Sequence, residues 1–295
     1  MKHAYLIIAH QEKGLLTTLL SLLDDERNDI YLHIDKKSQG LFEEMKKTVL
    51  KHARFYLLDE RIDIRWGDIS QVKVELLLIR TALSCGTYSY LHLLSGVDMP
   101  IKSQDYVHDF FETHNGYEFV GFAQGEKNEQ DLAHKTRYVY LFTRYLKDAN
   151  VLRRFGAKCI RNSFVKCQQL FNYKRHYDMT LKKGANWFSI TSQFANFILL
   201  KEKYILSTFK HTLSPDESFM QTLLWNSDSR FLIYNKDDEF EGCMRLIDWE
   251  RGGPYVWTFQ DKKIILSSNK LFARKFSSEA SQELIPFIKS LCQHI

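Results

Sequence analysis

The chain has 295 residues, 44% of them hydrophobic and only 4 of them proline, which suits one continuous packed core and excludes a linker-rich assembly. Its 41 basic and 36 acidic residues leave a formal charge of +5. That mild excess suits anionic small molecules or an acidic membrane surface better than a long nucleic-acid track. Five cysteines (Cys85, Cys159, Cys167, Cys243, Cys292) show no CxxC or Cys/His spacing, so neither a disulfide framework nor a zinc site is expected, and reduced thiols are.

Residues 4–9 are an apolar run too short for a secretion signal and read as a first buried strand. No segment reaches the roughly 18 to 20 uninterrupted apolar residues of a membrane span. After the polar turn His10-Gln11-Glu12-Lys13-Gly14, leucines at 15, 16, 19, 20, 22 and 23 give a helix, and 30–34 give a second strand ending at Asp35. Strand, turn, helix, strand opens a doubly wound α/β sheet, whose ligands bind at the carboxyl ends of the strands. His10 and Asp35 both fall at such ends. Asp35 there either accepts hydrogen bonds from a ribose or base, or merely caps a loop. Neither G-x-G-x-x-G nor G-x-x-x-x-G-K-[ST] occurs, so a nucleotide must be held by side chains.

Residues 55–58 give a third strand. Arg65-Trp66-Gly67 then leads into a helix through Val72, Val74, Leu76, Leu77, Ile79 and Leu83. The strand at 88–94 stops at Ser95-Gly96-Val97-Asp98-Met99-Pro100. Asp98, in a turn fixed by glycine and proline, is placed to address a substrate in the cleft. A helix over 103–114 and a strand over 118–122 complete a nucleotide-binding half, residues 1–122.

From 123 to 183 the alternation of strand and helix is lost. Lys135, Arg137 and Arg144 stand among tyrosines, and a helix is expected from about 150 to 171. Between 150 and 185 there are nine Lys or Arg and one acid, Asp178. This is either a helix with a solvated face or one that lies on an anionic bilayer. The remaining half, 184–295, returns to strands near 184–190, 231–235, 243–248 and 271–276, with a helix over 214–226 and an amphipathic last helix. Trp249 is either core or a platform for a sugar ring.

Two stretches bear on chemistry. In Ser214-Pro215-Asp216-Glu217, Ser214 suits an N-cap and Pro215 a first helical turn, ahead of Phe219, Met220, Leu223 and Leu224. Glu217 on that turn can accept a proton from a hydroxyl; the competing reading is a capping box with Ser214. Arg274 and Lys275, adjacent cations leaving an apolar strand, need an anionic partner, and a diphosphate fits. No Asp-x-Asp metal motif occurs, and Asp24-Asp25-Glu26 and Asp237-Asp238-Glu239 look like surface turns. Cations in place of a metal is the economical reading.

In order along the chain, Ala4 to His10, His33 to Asp35, Trp66-Gly67, Leu94 to Pro100, Gly184 to Ser189, Ser214 to Glu217, Asp248-Trp249 and Leu271 to Phe276 resemble glycosyltransferase family 14. That family comprises the core-2/I-branching β-1,6-N-acetylglucosaminyltransferases and the peptide O-xylosyltransferases, and the resemblance covers about residues 3–290. It implies a single domain of variant GT-A fold, α/β with a mixed, mostly parallel central sheet and flanking helices. It also implies a UDP-sugar donor, inversion at the anomeric carbon, and no metal or other cofactor. By motif it implies Glu217 as catalytic base, His10 and Asp35 in the uridine pocket, and Arg274 and Lys275 on the leaving diphosphate. Arg245, with Arg251 as competitor, is implied as a further diphosphate arginine. Asp98, Asn186, Trp187 and Trp249 would line the sugar cleft, and Lys135 and Arg137 the acceptor side.

The animal members carry a membrane anchor and disulfides, and neither pattern is found in this sequence. A bacterial, cytoplasmic enzyme is therefore expected, with peripheral contact at the inner membrane face through 150–183 as the further option. Its acceptor would be a lipid-linked oligosaccharide for surface polysaccharide. N-acetylglucosamine is the expected sugar, and xylose the alternative. A non-catalytic carbohydrate- or nucleic-acid-binding module is the competing class. The aromatic residues, 14% of the chain, sit within apolar elements and do not interleave with a basic stripe, so no nucleic-acid partner is expected.

Overall fold

The computed structural model describes residues 1–293. Strand β1 (His3–Ala9) is buried along its whole length, as a continuous apolar run in the middle of a parallel sheet must be. Its side chains alternate between two cores: Tyr5, Ile7 and Ala9 enter one, Ala4, Leu6 and Ile8 the other. The chain continues through α1 (Lys13–Leu22), β2 (Asn28–Ile34), α2 (Gln39–Met45), β3 (Arg54–Leu57), α3 (Ser70–Cys85), β4 (Tyr90–Ser95), β5 (Met99–Pro100), α4 (Gln104–Thr113) and β6 (Phe119–Val120). Helices α5 (Glu126–Thr136) and α6 (Val151–Leu170) follow. The remainder comprises β7 (Phe188–Thr191), α7 (Ser192–Leu200), α8 (Glu202–Phe209), α9 (Phe219–Trp225), α10 (Glu239–Cys243), β8 (Arg245–Ile247), α11 (Lys262–Ser267), β9 (Phe272–Arg274) and α12 (Leu284–Gln293).

The strands form a six-stranded sheet of order β3-β2-β1-β4-β7-β6 and a three-stranded sheet of order β5-β9-β8. Strands β1 to β4 pair in parallel and β7 and β6 add antiparallel, so the central sheet is mixed and mostly parallel, as expected. Helices α1, α2, α4 and α12 cover one face, and α3, α7, α8 and α9 the other. Inside the sheet, His92 bonds His3 at 3.1 Å and Ser189 at 2.8 Å, joining β1, β4 and β7. Burial holds the His3 and His92 rings well below the ordinary histidine range, so the link is between neutral imidazoles. Among the described residues no helix is long and apolar enough to cross a membrane.

Several expected elements differ. Residues 231–235 are no strand: a 3-10 turn spans Asp228–Leu232, and one isolated bridge joins Ile233 to Glu118. The strand expected over 118–122 shortens to β6, and the one over 184–190 moves to β7. Helix α5 appears where no regular element was expected. The helix expected over 214–226 is split into a 3-10 turn, Pro215–Glu217, and α9. Ser214 has φ of 45° and makes no side-chain cap; its amide donates instead to the Gly67 carbonyl, 3.0 Å away. A long-range bond of this kind overrides the local capping preference.

Gly184 is required by close packing. A Cβ there would lie 1.9 Å from the Gly121 carbonyl oxygen, backbone that no rotamer change can move aside. Gly184→Ala should therefore destabilise the protein by about 1–3 kcal/mol, the usual range for overpacking, and lower the melting temperature. Gly14→Ala, in a helix with nothing within 4 Å, should leave it unchanged or raised. Equal melting curves for the two variants would contradict the close approach.

Candidate active site

The carboxyl ends of the central strands gather one set of charges. Asp35, after β2, is buried; its Oδ1 accepts from the Lys37 amide at 2.8 Å and its Oδ2 pairs with the Lys37 ammonium at 2.9 Å. Asp35, Lys37 and Arg274 are the charges that act on the His10 ring, so the ends of β1, β2 and β9 converge. After β4 the buried Asp98 accepts from the Ser95 amide at 2.7 Å through Oδ2 and from Arg274 Nη1 at 2.8 Å through Oδ1. The Arg274 guanidinium also donates to the Ser95 hydroxyl and lies over the Trp187 ring, 4.4 Å from its centroid. Three contacts thus fix that cation. Lys275, next in the chain, makes no side-chain hydrogen bond or ion pair among the described residues, where the ion pair of this strand belongs to Arg274.

A second set surrounds Glu217. Its Oε2 accepts from Lys135 Nζ at 2.6 Å and lies 4.0 Å from Lys183 Nζ. Asp131 bridges the same two lysines, at 2.8 Å from Lys135 and in direct contact with Lys183. Burial pulls the Lys135 ammonium down, but Glu217 and Asp131 outweigh it and raise its pKa. The capping-box alternative for Glu217 is absent: its amide donates to the Ser214 carbonyl at 3.1 Å and its carboxylate faces the lysines.

Behind Glu217 lie two acids whose role sequence reasoning missed. Asp216 has an Oδ1 sealed from solvent with no hydrogen-bond partner, and burial followed by the neighbouring Glu217 charge pushes it up to about 7. Glu75, in the middle of α3, is fully buried; desolvation and then Asp216 hold it far above the carboxylate range, against the amides of Asn186 and Gln71. The signal for Glu75 was a lone acid inside the apolar run Val74 to Ile79.

One segment joins the two sets. The Gly184 amide donates to the Glu217 carbonyl at 3.0 Å, and three residues later Trp187 stacks on Arg274. Asn186 between them stands against Glu75. Glu217 and the Arg274-Lys275 pair are thus tied to one stretch of backbone at most about 11 Å long.

Other expected residues lie apart from this arrangement. Arg245 is 2% exposed and donates to the carbonyls of Cys243 (2.7 Å) and Phe188 (2.9 Å) and to Ser189 Oγ (3.2 Å), with its guanidinium over Phe272. The diphosphate role implied for Arg245 does not fit, because Nη1 and Nη2 are engaged by interior oxygens and Nε is sealed from solvent without a partner. Its competitor Arg251 is held by Asp248 at 2.6 Å and Asp261 at 2.7 Å. Trp249, on the same loop, is 55% exposed. Arg137 is exposed, and its carbonyl accepts from the Arg175 amide at 2.8 Å. Of the aspartate clusters read as surface turns, Asp24 accepts from the amides of residues 51–53 and Asp238 caps α10. Among the described residues no group of His, Cys, Asp or Glu has metal-holding geometry.

The family model for the Core-2/I-branching enzyme matches residues 3–271. The chain belongs to the Core-2/I-branching enzyme family. It is accordingly an enzyme domain of glycosyltransferase type. This Core-2/I-branching domain is 23% identical to xylosyltransferase 2 of Rattus norvegicus over 97% of its own length and 33% of that protein's. It is also 23% identical to the N-acetyllactosaminide beta-1,6-N-acetylglucosaminyl-transferase of Homo sapiens, over 92% of this chain and 67% of that one. The chain spans about a third of the length of the xylosyltransferases it matches. The apo structure of mouse xyloside xylosyltransferase 1 aligns with 92% of this chain at 10% identity and a TM-score of 0.39.

The sealed acid behind Glu217 gives this domain a pH signature. Folded Asp216 titrates at about 7 and unfolded Asp216 at 3.8, so the folded state keeps a proton that the unfolded state has released. Its contribution is therefore present below pH 3.8 and is lost as pH rises towards 7. Asp216→Asn cannot ionise, so its stability relative to wild type should rise between pH 4 and pH 8, by about 4 kcal/mol at most. Chemical denaturation across that range checks this; parallel curves for the two proteins would mean that Asp216 is ionised when folded.

Proposed function

We propose that this chain transfers a sugar from a UDP-sugar to a hydroxyl of a glycan acceptor, with inversion at the anomeric carbon and without a metal ion. The observation that carries the reading is the shared tether: a carboxylate with lysine partners and a cation pair with one free ammonium are fixed to the two ends of residues 184–187. Glu217 takes the acceptor proton, the freed oxygen attacks the anomeric carbon, and the bond from that carbon to the UDP oxygen breaks on the opposite face. Lys275, with Arg274 beside it, offsets the charge that grows on the leaving diphosphate. His10 and Asp35 bind the uridine, and Asp98, Trp187 and Asn186 lie along the sugar-binding cleft. Asp98 serves chiefly by orienting Arg274. Lys135 orients the carboxylate.

The sugar proposed is N-acetylglucosamine in β-1,6 linkage, and the acceptor a lipid-linked oligosaccharide of surface polysaccharide at the inner face of a bacterial membrane. Xylose is a second reading, favoured by the matches to xylosyltransferases over 97% of the chain. Slow hydrolysis of a panel of UDP-sugars distinguishes the two.

Glu217→Gln should lower kcat by about three orders of magnitude while leaving UDP affinity nearly unchanged. Lys275→Ala should instead weaken UDP binding, measured by calorimetry. Turnover should survive EDTA. A Glu217→Gln enzyme with near-normal turnover would remove the base assignment, and activity lost to EDTA but restored by manganese would remove the metal-free one.

A further inference from the structure

Helix α6 is barely packed. Among its 20 residues only Ala157 and Gln168 are buried, and they hold it through Gln168, whose amide bonds the Val139 backbone at 2.9 Å in both directions. The opposite face bears Leu152, Phe155 and Leu170, which are 83%, 66% and 80% exposed, and Phe171 just beyond is 76% exposed. Residues 142–173 contain nine of the twenty-one large exposed apolar side chains among the described residues, in about a tenth of the chain. Scattered exposure needs no explanation, but a concentration of this kind marks an interaction surface.

The charge on this surface selects the partner. Between Asp148 and Asp178 there is no acid, and there are seven cations, Arg153, Arg154, Lys158, Arg161, Lys166, Lys174 and Arg175. Arg153 and Arg154 follow the exposed Leu152, Lys158 and Lys166 are exposed along the helix, and Lys174 follows its end. A protein groove would have to meet uncompensated cations together with exposed apolar side chains at the two ends of a helix about 30 Å long, with Cys159, Ser163 and Lys166 between them. A bilayer surface with anionic headgroups satisfies both at once: acyl chains take the apolar side chains at the two ends of the helix while the cations, Lys166 included, reach the phosphates.

We propose that α6 lies flat on an anionic lipid bilayer, with Leu152, Phe155 and Leu170 inserted below the headgroups. The proposal rests on this surface and not on the chemistry at Glu217. It has a consequence for the site, because Leu146, five residues before α6, and Ser214 both flank Gly67: a Cβ there would lie 2.9 Å from Leu146 and 3.5 Å from Ser214. Gly67 thus stands between the turn that carries Glu217 and the segment leading into the membrane-facing helix, which suits a lipid-anchored acceptor.

The test is co-sedimentation of the full chain, without nucleotide sugar, with phosphatidylcholine vesicles containing or lacking phosphatidylglycerol. Binding should require the anionic lipid, weaken as salt is raised, and fall by about tenfold or more in the double variant Phe155→Glu, Leu170→Glu. Both positions are exposed, so melting curves should be unchanged. Equal binding to neutral vesicles, no binding, or wild-type binding by the double variant would overturn the proposal. So would a dimer in sedimentation velocity that the same variant dissociates, since α6 would then face a second copy. Failure here would leave the effects of Glu217→Gln on turnover unaltered, so the two readings fall separately.

Discussion

The hydrogen bond from the Gly184 amide to the Glu217 carbonyl is the constraint on which the geometry of the site depends. It can form only because residue 184 lacks a side chain: the Gly121 carbonyl occupies the space where a Cβ would stand. Once 184 is fixed, the short run to Trp187 leaves little freedom for Arg274, whose guanidinium lies on that ring. The 3-10 turn of Pro215–Glu217 is held from its other side by the bond from Ser214 to Gly67. A carboxylate on an isolated turn would have wide rotational freedom. Here its backbone is pinned from both sides and its side chain is held by Lys135 at 2.6 Å, which is the kind of preorganisation that transfer chemistry requires.

Much of the central sheet was legible because burial on both faces leaves an unmistakable apolar run, as in β1 and β4. The long helices α3 and α6 were legible from their spacing. Short elements were not: residues 231–235 are apolar enough for a strand, but the only ladder available is the single bridge from Ile233 to Glu118. Ser214 looked like a cap because local propensity favours one, and a contact to Gly67, 147 positions away in sequence, decided otherwise. In the site, Glu217, Asp98 and the cation pair were read from their motifs. Arg245 was misplaced because a sequence motif cannot reveal that an arginine's donors face carbonyls of the interior. Lys183 and Asp131 were missed because neither stands in a motif; they meet Glu217 only through the fold.

Glu217, Asp216 and Glu75 stand close together, and their surroundings push them apart. Glu217 has lysine partners, whereas Glu75 and Asp216 each have one sealed oxygen with no donor. A buried carboxylate without a counter-charge is costly, so burial favours the protonated form of both, in Asp216 up to about pH 7. Had they been ionised, their repulsion would act directly on the 3-10 turn. The ammonium of Lys135 is directed at Glu217 and Asp131, and not at Glu75 or Asp216.

The cation end divides its labour in a similar way. Arg274 is held by Asp98, Ser95 and Trp187, and a guanidinium with that many fixed contacts has little freedom left to follow an arriving ligand. Lys275 retains its full set of donors. An ammonium on a flexible stem can meet an anion at several distances, whereas a clamped guanidinium fixes the field around it. The buried Asp98 carboxylate partly neutralises Arg274, so the net positive charge at this end is centred on Lys275. A diphosphate arriving there would meet a cation not already paired within the protein, next to one that is already oriented, and the ordering cost of the second has been met by folding.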